Sequence, residues 1–231
     1  MRHTTPKRPR LPRPARAAVA VAAAALSIAT LQGCIIGTAV GGMAESYRRT
    51  GKTLIEAQYE GIEGKSFAVV TIASRSIEAE HPGLTSRITR RVNDRLIQNA
   101  NPAYAIPSSD LLRVLYNTPT WRTMTRQDLA ELLGVERLIV IELIDYRLHE
   151  PGNRHLWDGR IAGVVSVYEA DSALPNDPIY EQALSMTFPD SSGYLRTDIP
   201  EAAVTSELSN RFINRAAWLF YDHEEPNAIA Y

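Results

Sequence analysis

Three stretches of this sequence predict an α/β domain: a single mixed sheet of about five strands, with an antiparallel C-terminal meander and flanking helices. Residues 66–72 (SFAVVTI) form a compact β-branched run that reads as a buried strand. In residues 84–99, Leu84, Ile88, Val92 and Leu96 recur every four positions and define one apolar face of a helix. Residues 137–148 (RLIVIELIDYRL) give the longest strand signal. Leu138, Ile139, Val140 and Ile141 are apolar on both faces, which suits a central strand covered on both sides.

The connecting elements follow in order. His81-Pro82-Gly83 lies in a loop after the first strand. Tyr104-Ala105-Ile106-Pro107 reads as a short edge strand closed by proline. Ser109 is placed to cap a helix carrying Leu111, Leu112 and Leu115. Thr125 with Asp128 resembles a capping box, opening a helix with Leu129, Leu132 and Leu133 that stops at Gly134. Glu150-Pro151-Gly152-Asn153 has the composition of a type II turn. Its hairpin partner is expected over 156–169, and a further alternating strand over 179–188. Asp198 is expected to cap the last helix, with Pro200 in its first turn. Val204, Leu208, Phe212, Ala216 and Leu219 form that helix's apolar face. No 20–50-residue repeat interrupts this order.

Composition is that of a globular protein, 45% hydrophobic and 22% charged. The net charge of -1 hides an asymmetry. Arg2, Lys7, Arg8, Arg10, Arg13 and Arg16 precede Cys34, and no acidic residue does. Taking those six from the 25 basic residues leaves 19 against 26 acidic ones, about -7 for the rest of the chain. That balance disfavours nucleic acid as a partner.

The N-terminal segment has its own logic. A basic, proline-interrupted stretch over 1–16 leads into an alanine-rich apolar run over 17–30, which has signal-peptide length. Leu31-Gln32-Gly33-Cys34 follows and contains the one cysteine. These four residues resemble the bacterial lipobox, which implies cleavage before Cys34 and its acylation. Acylation also accounts for an unpaired cysteine in an exported protein. The rival is an uncleaved anchor, because residues 17–44 are uncharged and exceed the roughly 20 residues that span a bilayer. Ile35, rather than Asp, follows the cysteine. Resemblance to enteric lipoproteins then implies outer-membrane sorting, with the domain facing the periplasm.

The expected division is a signal peptide over 1–33, a lipidated N-terminus and tether over 34–62, the α/β domain over 63–225 and a tail over 226–231. Within the tether, residues 35–44 are apolar, and residues 44–60 have the pattern of a short helix.

Candidate binding residues fall in two places. Arg87, Arg91 and Arg95 form a stripe on the first long helix, suited to an acidic partner or to a solvated face on which Arg90 pairs with Asp94. Tyr116 and Trp121 bracket Pro119, either as exposed anchors for a protein partner or folded back over the core edge. His149 and His155 flank the Pro-Gly turn but are expected on opposite faces, with no third ligand at metal spacing. Asp145, His149, Glu150 and Asp158 offer carboxylates and imidazole without a restricting pattern. No phosphate-binding loop, dinucleotide fingerprint, nucleophile elbow or zinc-protease motif occurs. No catalytic residue, metal or cofactor is therefore expected; the alternative is a periplasmic small-ligand binder or hydrolytic enzyme, which a deep pocket lined by Asp145, His149 or His155 would favour.

Leu129-Ala130-Glu131-Leu132-Leu133-Gly134-Val135-Glu136-Arg137-Leu138-Ile139-Val140, with the order of elements around it, resembles the small α/β domain of envelope lipoproteins such as LpoB and CsgG. The TolB N-terminal domain is a more distant likeness. Glu142 and Leu143 stand where that family often has glycine, and the chain has no room for the extra hairpins of a secretion pore. The resemblance implies a non-enzymatic, partner-binding accessory domain of the cell envelope.

Overall fold

The computed structural model describes residues 51–226, apart from 154 and 192. Cys34, the signal segment and most of the tether lie outside the described residues. No helix among the described residues is long and apolar enough to cross a membrane.

The main sheet is five-stranded and mixed, in the order β3-β2-β4-β5-β6. Its strands are β2 (Ser66–Ala73), β3 (Tyr104–Ala105), β4 (Arg137–Arg147), β5 (Gly159–Glu169) and β6 (Tyr180–Phe188). The first three are parallel, with Phe67 opposite Arg137 and Ala73 opposite Leu143. β5 and β6 then add antiparallel, which is the expected meander. β1 (Lys52–Ile55) and β7 (His223–Pro226) form a separate two-stranded sheet. A strand thus lies where the residue pattern suggested a helix.

Side-chain alternation explains the layering. Phe67, Val69, Ile139 and Ile141 point to one face, where α2 (Leu84–Asn99) and α5 (Glu201–Trp218) contribute Ile88, Val92, Leu208 and Phe212. Ala68, Val70, Leu138 and Val140 point to the other, beneath α3 (Ser108–Asn117) and α4 (Arg126–Leu133). The central strands are therefore dry on both sides, as their unbroken apolar run requires. Each large aliphatic side chain buried this way contributes roughly 1.5–3 kcal/mol. Packing also reaches back before residue 63: Ile62 is fully buried, and the Gln58 and Tyr59 amides both donate to the Leu219 carbonyl at 2.9 Å.

Other differences have local causes. α1 (Arg75–Glu80) occupies part of the expected loop. It starts where Ser74 Oγ accepts from the Ile77 amide at 3.4 Å, and it buries only Ile77, too little to leave a periodic signal. Ser109 is not the cap of α3. Pro107 holds that position, and neighbouring Ser108 is buried, bonded to Asn93 and Asp94. Asp198 does not cap α5 either; Pro200 precedes the helix, and Asp198 accepts from the Leu195 amide at 3.0 Å to close the turn before it. Thr125 does cap α4, accepting from the Asp128 amide at 3.1 Å, and Gly134 ends it at φ 66°. The Pro151-Gly152 turn forms, with Gly152 at φ 87°. The β4–β5 hairpin is looser than expected, since β5 starts only at Gly159. Trp157 leaves the ladder to become buried, donating from Nε1 to the Ile199 carbonyl at 2.8 Å.

Many charged groups are committed to holding this frame. Lys65 bridges Glu136 at 2.8 Å and Asp171 at 3.3 Å, while buried Arg137 reaches Asp171 and the Gly61 carbonyl. Arg211 ties α5 to Asp190 and pairs with Glu207 one turn earlier on the same helix. Lys65 and the Ser66 amide hold the Glu136 carboxyl below its ordinary range, and Arg211 does the same for Asp190. Native pKa values below the unfolded ones mean the stabilisation is present above about pH 4 and lost as pH falls through the lowered values. The urea midpoint should therefore be level near neutrality and drop below about pH 4, with a shallower drop in Glu136→Gln.

Candidate functional site

α2 is held at a fixed rotation by buried polar contacts. The Thr71 amide donates to Thr89 Oγ1 at 3.1 Å, and Asn93 Nδ2 donates to the Ile106 carbonyl at 3.0 Å. With Thr89 and Asn93 turned inward, Arg87, Arg90 and Arg91 are exposed and Arg95 is half-buried. Burial lowers the Arg95 pKa, with nearby Tyr221 opposing the shift and Arg91 adding to it.

These four arginines differ from most of the others. Arg113, Arg122, Arg137, Arg147, Arg160, Arg196 and Arg211 each form an ion pair with a carboxylate. Among the described residues, Arg87, Arg90, Arg91 and Arg95 form none. The expected Arg90–Asp94 pair is absent, because Asp94 accepts from Ser108 Oγ at 3.4 Å. Like charges three and four residues apart on a helix repel, so this arrangement carries a cost that a bound anion relieves.

The sequence-predicted residues do not form one patch. On one flank of α2, Arg87, Arg90 and Arg91 face Ser206, Ser209, Asn210 and Ile213 of α5 across a cleft of about 270 Å³. Arg95 does not line it. On the other flank, Thr85, Ser86, Tyr116 and Trp121 border a separate hollow of about 340 Å³. Tyr116 is 84% exposed there, whereas Trp121 is 7% exposed and belongs to the core with Leu111 and Leu129. Trp121 is thus not an exposed anchor, because the short 3₁₀ turn Pro119–Thr123 folds it back over α3 and α4.

His149 and His155 are not brought together. His149 lines a hollow of about 160 Å³ with His81, Arg147 and Glu201, while His155 is exposed. Asp145 faces Arg160 at 3.7 Å instead. Among the described residues, no group of three or more His, Cys, Asp or Glu side chains is placed to hold a metal. What sequence reasoning missed was Arg90 as a cleft residue and the whole polar flank of α5. The signal for the latter was Ser206, Ser209 and Asn210 at helical spacing beside the apolar stripe.

No family model and no curated protein matches the chain. Solved structures do. Lipoprotein GNA1162 from Neisseria meningitidis is 10% identical, with TM-score 0.44, covering 66% of this chain and 97% of its own. A PelC dodecamer from Paraburkholderia phytofirmans is 8% identical at TM-score 0.41, covering 74% and 98%. Protein XCC0632 from Xanthomonas campestris is 10% identical at TM-score 0.40, covering 71% and 88%. At such low identity and superposition, the functional reading rests on this chain's own residues.

Proposed function

We propose that this protein is an envelope lipoprotein, anchored in the bilayer through acylated Cys34. Its periplasm-facing α/β domain serves as a non-enzymatic, protein-binding accessory factor in cell-wall, secretion or surface assembly. The tether reading is supported by Leu31-Gln32-Gly33-Cys34 and its basic and apolar approach. The observation that carries the binding reading is the row of arginines on α2 without counter-ions, in a chain whose carboxylates outnumber its basic groups after Cys34. A protein partner with an acidic surface supplies the missing charges, and Tyr116 on the far flank of α2 offers an exposed aromatic contact.

Crosslinked native envelopes test this. Affinity capture of the wild-type chain should return one dominant protein partner, and the Arg87→Glu/Arg91→Glu variant should recover it at least about tenfold less, since reversal turns attraction into repulsion. Recovery of the uncrosslinked monomer alone would contradict the reading.

A further inference from the structure

We infer that the cleft between α2 and α5 is a binding site for a phosphate-type oxyanion, held by Arg87, Arg90 and Arg91 on one wall and Ser206 and Asn210 on the other. The inference rests on α2 as the contact face and adds the chemistry that the face recognises.

Three guanidinium groups occur within little more than one turn of α2, and all three line the same cleft. None has a carboxylate partner among the described residues. A carboxylate offers two oxygens and suits one guanidinium fork. A phosphate group offers three or four free oxygens as a monoester or ion, and as a diester two non-bridging and two ester oxygens set tetrahedrally, and so is the better bridge between several forks. The α5 wall is chemically matched. Ser206 and Asn210 are exposed and supply a hydroxyl and an amide donor. Ser209 is different: its hydroxyl donates to the Thr205 carbonyl at 2.7 Å, which leaves it as an acceptor.

The cleft, at about 270 Å³, is larger than a bare phosphate ion and has room for part of an esterified group. Two sources share this chemistry: the phosphodiester headgroup of a membrane lipid, and a soluble phosphate or phosphoester.

The full chain in nonionic detergent is titrated with inorganic phosphate and, separately, with a soluble short-chain phosphatidylglycerol. Arginine Nε–H and Ser206 amide resonances are followed at constant ionic strength. At least one probe is expected to bind saturably, with sulfate competing and chloride not competing. Arg90→Gln/Arg91→Gln should weaken binding by about tenfold or more, the scale of one charge-assisted hydrogen bond lost. Ser206→Ala/Asn210→Ala should weaken it from the opposite wall by a smaller factor. Tighter phosphatidylglycerol binding assigns the lipid headgroup as the source, and tighter phosphate binding assigns the soluble ion. Absence of saturable shifts with both probes, or wild-type affinity in both folded variants, would overturn the site. A captured protein partner without phosphate binding would refute the site and leave the reading of α2 standing. Phosphate binding without a captured partner would do the reverse.

Discussion

Phe212→Ala is expected to destabilise the domain by about 3–5 kcal/mol, a large share of the 5–15 kcal/mol typical of a folded domain. Phe212 is fully buried on α5 and belongs to the larger of the two core clusters. It lies over Gly163 of β5, where an added Cβ would stand 2.6 Å from the Glu142 carbonyl oxygen and 3.2 Å from Phe212 Cζ. Glycine therefore lets the helix and the sheet approach closely, and the phenyl ring fills the space above it. Removing the ring leaves a cavity that Gly163 has no side chain to occupy. Gly163→Ala should also destabilise, through the backbone contact, and should not rescue Phe212→Ala. Urea denaturation of the full chain measures both. A loss below about 1 kcal/mol for Phe212→Ala would mean that α5 is not seated on β5 as described.

Cys34→Ala should move the protein from the membrane fraction to the soluble fraction while the domain keeps its circular dichroism spectrum and urea midpoint. The expected change is large because, on the proposed reading, two or more acyl chains would each contribute roughly 0.8 kcal/mol per buried methylene and hold the wild-type chain stably. The domain should be indifferent because its core is built from residues that follow Tyr59 in the chain. Persistence of Cys34→Ala in carbonate-washed membranes would instead favour an uncleaved anchor over the uncharged residues 17–44.

The fold was legible wherever burial imposes a period. The four-residue spacing of Leu84, Ile88, Val92 and Leu96 and the two-sided apolar run of Leu138 to Ile141 both reappear as core contacts. Gly134 and Thr125 were legible because helix ends make local demands on backbone angle and hydrogen bonding. What misled was local chemistry settled by distant partners. Asp198 has the composition of a cap, yet its carboxylate closes a preceding turn. Trp157 lies in an expected strand, yet its indole seeks a carbonyl at Ile199.

The candidate site divides the same way. The arginine stripe is visible in one dimension, since it is a helix spacing. Its consequence is not, because the opposing wall comes from α5, more than a hundred positions later. Only the sheet's topology sets the polar flanks of these two helices side by side. Trp121 shows the converse, an aromatic that reads as an anchor until the turn that carries it folds back into the core.

The intact mass of the chain extracted from its native membrane tests the tether most directly. A species beginning at Cys34 and carrying two or three acyl chains is the predicted result. A species that still begins at Met1 or Arg2 and carries no lipid would contradict it.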